Sequence, residues 1–259
     1  MKLFHRTSNG ASVTPTPDGF KFAIPKSKLD QFRLAQVDNY ARLPRREFSA
    51  HPPLILSLRM SASSESIPGT WGFGLWNDPF GLSLGFGGSP FSLPVLPNAI
   101  WFFHASPRNY LSFRNDKPAQ GFLAQAFSSP HFHPMQLPIG LMFPFSKKKT
   151  RELLSHIVDE DSALISVDVT QWHSYRLEWS LNRSAFWVDE SLVLETNVSP
   201  RPPLGLVIWM DNQYAAFTPQ GKMMWGLEEN STEAWLEIQN LELSTESKST
   251  TRKSSLIIQ

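Results

Sequence analysis

The stretch Trp172–Trp179, WHSYRLEW, constrains the fold of this chain more than any other. His173, Tyr175, Leu177 and Trp179 fall on one side of an extended backbone, and Ser174, Arg176 and Glu178 on the other. That is the period of two of a half-buried strand, and a helix would scatter the same residues around its axis. Asn182-Arg183 then reads as a turn, Ala185–Val188 as the return strand, Asp189-Glu190-Ser191 as a second turn and Leu192–Glu195 as the continuing meander. Further strands are read at Leu54–Met60, Trp71–Trp76, Ile100–Ala105, Gly121–Phe127, Leu204–Met210 and Ala234–Leu243. Short strands separated by turn signals specify a sandwich or jelly roll. The 19 Phe and 9 Trp suit strands and a thick two-sheet core, and the 21 Pro suit the loops between them.

One helix interrupts this pattern. Leu153, Leu154 and Ile157 recur at helical spacing within Ser146–Val158. Lys147, Lys148 and Lys149 oppose the helix dipole, so the expected start is near Thr150, as a cap with Glu152 in the first turn. A second helical turn is read at Lys28–Arg33. The loops Gly81–Asn98 and Ser128–Phe145 are long but too apolar for disorder, and are expected to pack over one face. The expected organisation is one sandwich domain over residues 1–243 and a disordered polar tail over 244–259.

Charge and composition exclude several functions. Lys and Arg number 24 against 23 Asp and Glu, a net charge of +1, so the basic excess of a nucleic-acid binder is missing. Cys is absent, which removes disulfides, thiolate nucleophiles and cysteine zinc sites. No apolar run is long enough for a transmembrane helix. Met1–Gly10 lacks the apolar stretch of a secretory signal, so a cytoplasmic location is expected. No cofactor is expected, and no motif names a reaction.

The segment Val169–Val193, VTQWHSYRLEWSLNRSAFWVDESLV, resembles the H-[ST]-Y-x-[IVL]-E-W…[FY]-x-V-D-x-x-x-V pattern of the laminarinase and lichenase glycoside hydrolases of family 16, in the concanavalin A-like lectin/glucanase superfamily. The matching residues are His173, Ser174, Tyr175, Leu177, Glu178, Trp179, Phe186, Val188, Asp189 and Val193. The resemblance implies an all-β fold, a concanavalin A-like jelly-roll sandwich of two antiparallel sheets, here with one inserted short helix. It also implies a strand of the form E-[ILV]-D-x-x-E, whose carboxylates would stand about 5–5.5 Å apart for retaining hydrolysis. This chain has no such strand. Upstream of the hairpin it reads PNAIWFFHASP, without an acid, and Asp159-Glu160-Asp161 after the helix reads as an exposed turn with diverging side chains. A standard retaining glucanase is therefore not expected.

The candidate ligand-binding residues are Trp76, Asp78, His104, Trp209, Asp211 and Glu228, placed on strands or strand ends of one aromatic, concave sheet. Each has a plain structural alternative. His104 reads equally as a core histidine held by a backbone carbonyl, and Asp78 as an Asx-turn before Pro79. Asp211 reads equally as strand-end turn chemistry, and Glu228 follows Trp225 with little positional information. Alternation cannot place Trp101 and His104 on one face without a bulge; of the two, His104 is the one expected in the cavity. His131-Phe132-His133 could offer two imidazoles to a metal, but no third ligand is identifiable, so no metal is expected. Three functions fit these residues. The first is a binding protein for a glycan or similar ring-containing small molecule. The second is an enzyme of divergent chemistry, a hydrolase or an isomerase or cyclase on an apolar substrate, using His104 with Asp78, Asp211 or Glu228. The third is a partner-binding protein that docks through the apolar loop Pro134–Phe145.

Overall fold

The computed structural model describes residues 1–29, 31–79, 95–130 and 146–245. In chain order the strands begin with β1 (Phe4–Ser8), β2 (Ser12–Thr16), β3 (Gly19–Ile24) and β4 (Leu34–Asp38). Then come β5 (Leu54–Ala62), β6 (Thr70–Trp76), β7 (Ala99–Ala105) and β8 (Gly121–Ser128). Helix α1 (Lys147–Ile157) leads into β9 (Asp159–Leu164), β10 (His173–Ser180), β11 (Arg183–Val188) and β12 (Ser191–Thr196). The chain closes with β13 (Gly205–Asp211), β14 (Gln213–Phe217), β15 (Met223–Leu227) and β16 (Ala234–Ser244).

These strands build two seven-stranded antiparallel sheets, a jelly-roll sandwich with one short helix among the described residues. The front sheet runs β1-β4-β13-β6-β7-β8-β9 and the back sheet β12-β11-β10-β5-β16-β3-β2. Their facing surfaces form the main core. Trp71, Phe73, Phe102 and Phe122 from the front meet Tyr175, Leu177, Trp179 and Phe186 from the back. Tyr175 lies 5.1 Å from Phe102 and 5.3 Å from Phe73, edge to face, which is the arrangement aromatic quadrupoles prefer. The alternation read in WHSYRLEW is thus the alternation of β10. Asp189 (φ 47) and Glu190 (φ 67) are both left-handed and turn β11 into β12, the geometry of a two-residue hairpin loop.

Several expectations need correction. Helix α1 starts at Lys147, capped by Ser146, whose hydroxyl accepts the Lys149 N–H; Thr150 lies inside the first turn and donates back to the Ser146 carbonyl at 3.0 Å. The described residues of Lys28–Arg33 are not helical: Ser27 bridges to Asn230, and the Arg33 N–H donates to the Asn212 side chain. Asp159-Glu160-Asp161 is not an exposed turn but the start of β9, with Glu160 buried. Ser244, taken as the start of the tail, still pairs with Ile55 in β16. Residues 80–94, 131–145 and 246–259 lie outside the described residues, and with them most of both apolar loops, the His131-Phe132-His133 pair, Pro134–Phe145 and nearly all of the polar tail.

Candidate functional site

The outer face of the front sheet carries a second aromatic cluster, separate from the main core. Its construction begins with β6. Alternation turns Trp71, Phe73 and Leu75 inward and Thr70, Gly72, Gly74 and Trp76 outward. Gly72 lies between Trp209 of β13 and Phe103 of β7, and Gly74 lies beside Trp101 of β7. A Cβ on Gly72 would stand 2.9 Å from the Trp209 ring, and one on Gly74 would stand 2.6 Å from the Trp101 Cβ. The missing side chains are what let the flanking rings close over β6. Trp76 and Trp209 stack with centroids 6.0 Å apart, and Trp101 lies 5.5 Å from Trp209 and 5.3 Å from Phe103.

Each indole N–H in this cluster is committed to a side chain. Trp76 donates to the Tyr40 hydroxyl at 2.6 Å, Trp101 to Gln125 Oε1 at 3.1 Å and Trp209 to Thr70 Oγ1 at 3.0 Å. All three tryptophans are 6% exposed. They form a packed floor rather than an open platform, and polar chemistry sits at its edges.

At the Thr70 end, the Thr70 hydroxyl accepts from Trp209 and donates to Asp211 Oδ1 at 3.1 Å, and the Gln213 N–H reaches the same oxygen at 2.9 Å. Burial of the Asp211 carboxyl, with the charge of Glu228 adding to it, pushes its pKa up to about 7. Glu228 is fixed from the other side, its Oε2 accepting the Gly69 N–H and the Ser106 hydroxyl. Asn109 braces this turn, donating to Ser106 Oγ at 2.8 Å and accepting the Ala215 N–H at 2.9 Å. Arg108 brings its Nε to 4.0 Å from Glu228 Oε1 while its guanidinium stacks 3.9 Å above the Tyr214 ring. Trp225, three residues before Glu228 on β15, is 64% exposed.

The opposite flank is closed. Glu160 Oε1 accepts from Gln125, and its Oε2 accepts the N–H groups of Phe113 and Arg114. Burial raises its pKa against those hydrogen bonds. Arg151 of α1 holds the same loop from behind, donating to the Phe113 carbonyl and the Asn115 side chain. Asp211 and Glu160 are separated by four strand spacings, about 19 Å, so they cannot act as a pair on one bond. Beyond β9 lies an open groove lined by Asp159, Asp161 and Glu195, in which Lys117 pairs with Asp161 and Arg183 with Glu195.

Of the residues named from sequence, Asp211 and Glu228 meet in one corner, and Trp209 reaches that corner through Thr70. Trp76 shares the face but stands at the far end of β6, about 20 Å along the strand from Thr70. Asp78 is also at that end, left-handed at φ 48, with its backbone carbonyl held by Arg45. The expectation for His104 is overturned. β7 pairs with β6 and β8 without a register shift, so no bulge intervenes and Trp101, not His104, faces outward. His104 lies on the inner face, stacked 5.0 Å from Trp71, hydrogen-bonded to the Glu65 backbone and held neutral by burial that lowers its pKa to about 4. The sequence reading missed Thr70, Ser106, Arg108 and Tyr214, none of which sits in a recognisable pattern, and Glu160, whose strand was taken for a turn. Among the described residues no group of three His, Asp or Glu side chains could hold a metal ion, and no helix is long and apolar enough to cross a membrane.

No protein-family model and no curated protein matches the chain. Among solved structures it is similar to a β-glucanase of Bacillus licheniformis, at 11% identity over 94% of this chain and 92% of that one, with a TM-score of 0.48. It is similar to the carbohydrate binding module CBM66 of Bacillus subtilis, at 10% identity over 93% and 95% of the two chains, with a TM-score of 0.41. A sialidase is matched at 10% identity and a TM-score of 0.44 over 95% of this chain, which spans 17% of the sialidase.

Proposed function

We propose that the protein binds a glycan, or a similar ring-bearing polar small molecule, at the corner formed by Asp211, Glu228 and Arg108. The observation that carries this reading is the hydrogen-bond chain from Trp209 through Thr70 to an Asp211 carboxyl whose pKa is about 7. Near neutral pH such a group both donates and accepts, which matches the hydroxyl groups of a sugar. A few convergent polar groups at the edge of an apolar wall are the usual make-up of a small-molecule site. The exposed indole of Trp225 offers an apolar ring face close by in sequence.

Calorimetry of the parent, Asp211→Asn and Glu228→Gln against a panel of neutral and acidic oligosaccharides tests the reading. Support would be binding by the parent that each variant weakens without lowering the unfolding midpoint. Failure of the parent to bind any member, or variants that bind like the parent, would overturn it.

The charge of Glu228 beside a protonatable Asp211 favours a second reading, in which Asp211 is a general acid toward a leaving oxygen. Turnover would then follow an apparent pKa near 7 and vanish in Asp211→Asn. His104 has no part in either reading.

A further inference from the structure

Building on the proposed glycan-binding corner, we infer that it selects ligands bearing a carboxylate, a uronate-containing glycan, and that Arg108 is the residue that reads that group. The Arg108 side chain is 52% exposed, and its fixed contacts are the Tyr214 ring below it and the 4.0 Å approach to Glu228. Among the described residues its guanidinium makes no hydrogen bond to the protein, so the donor edge of the fork is open while its face is held. Stacking on an aromatic ring orients a guanidinium and leaves its N–H groups coplanar for a bidentate carboxylate.

The ring beneath it is itself positioned by sequence. Tyr214 pairs with Gly226 across β14 and β15, and a Cβ at Gly226 would come within 2.9 Å of the Tyr214 ring. Glycine there lets the phenol lie flat across the hairpin, and Arg108 lies on the phenol.

The two carboxyl groups of the corner do not block an anionic ligand. Glu228 Oε2 is occupied by the Gly69 N–H and the Ser106 hydroxyl, and its side chain is 10% exposed. Asp211 holds a proton up to about pH 7 and can donate it in a hydrogen bond to a ligand carboxylate. Arg108 therefore stands beside a carboxylate whose Oε2 is already occupied, with about half of its own side chain exposed to solvent.

The test is calorimetry on the full chain with oligogalacturonate, oligoalginate and glucuronoxylan fragments, their methyl esters and a sulfated oligosaccharide. At least one acidic fragment should bind about tenfold more tightly than its ester, the scale of one charge-assisted bidentate contact. Arg108→Ala should erase that ratio, and Arg108→Lys should restore only part of it, because an ammonium lacks the fork. Both variants should unfold with the parent, since the side chain is exposed. Asp211→Asn should weaken the acid and its ester together, which separates failure of the corner from failure of the arginine. Esters that bind as tightly as acids, or an acid preference that survives Arg108→Ala, would overturn the assignment to Arg108 while leaving the glycan-binding corner standing. Equal, Arg108-dependent binding of the sulfated ligand would overturn carboxylate selectivity. Binding of no acidic fragment would overturn the inference, and binding of no glycan at all would overturn the corner with it.

Discussion

The two faces of the front sheet are built from the same residue types and are equally dry, yet they treat polar atoms in opposite ways. On the inner face Trp71 Nε1 and His104 Nδ1, like Tyr175 Oη packed against that face from the back sheet, have no hydrogen-bond partner among the described residues. On the outer face every indole N–H of Trp76, Trp101 and Trp209 is bonded to a side chain, and two of those bonds lead on to a carboxyl group. The inner face is held by packing, and its polar atoms are tolerated within it. The outer face is threaded by hydrogen bonds that end at Asp211 on one flank and Glu160 on the other. Aromatic richness alone therefore does not locate a site; the route taken by the indole protons does.

The largest effect should come from the inner face. Trp179, 1% exposed, enters the main core from the back sheet, opposite that inner face, its indole N–H bonded to Ser199. Trp179→Ala should lower the unfolding free energy by about 3–5 kcal/mol, measured by denaturant titration. A midpoint close to the parent's would mean that the inner face does not carry the fold.

Next comes acid sensitivity. His104 has a pKa of about 4 in the folded chain against an ordinary value of 6.5, so the unfolded chain binds more protons between those values. Stability should fall as pH drops through that window, by ~3 kcal/mol at its foot. Asp211 works the other way: with a pKa of about 7 against an ordinary 3.8, the folded chain holds the extra proton, and stability should fall as pH rises from about 4 to 7. The opposing slopes should partly cancel in the parent. His104→Gln should expose the falling slope and Asp211→Asn the rising one. Identical pH profiles for parent and both variants would erase the distinction between the faces.

A smaller effect tests the floor. Gly74→Ala places a Cβ against the backbone of Ile100 and Trp101 and should cost roughly 1–3 kcal/mol as the strands shift. An unchanged midpoint would show that the rings do not need the space over β6.

The hairpin of β10 and β11 was legible because its inward residues, Tyr175, Leu177, Trp179 and Phe186, are large, and Ser174, Arg176 and Glu178 alternate with those of β10. β1, β2 and β4 left no such trace, whereas β3, GFKFAI, alternates Phe20, Phe22 and Ile24 against Lys21 and was legible in principle. FHRTS of β1 is half polar, and β2 carries Pro15, which an edge strand can accommodate. β9 was hidden by DED, which reads as a turn until Phe113 and Arg114 supply N–H groups to bury its middle glutamate. At the site, Asp211 and Glu228 were legible as acids after aromatic strands. Arg108 was not, because what orients it is the Tyr214 ring lying over Gly226, a cross-strand pairing that no local pattern announces. The chemistry of His104 suggests a cavity, but alternation puts it with Phe102 and Ile100 on the inner face.

The most direct single measurement is Asp211→Asn at pH 8, read for stability and for ligand affinity on the same sample. Above pH 7 the parent carries an ionised carboxyl in a buried corner, a cost that asparagine removes while its Oδ1 still accepts from Thr70 and Gln213. If the outer face keeps this acid for function, the variant should be more stable than the parent and should bind glycan at least about tenfold more weakly. A variant that is less stable than the parent and binds as well would make Asp211 a structural group, and the two faces of the sheet would differ in nothing but their hydrogen bonds.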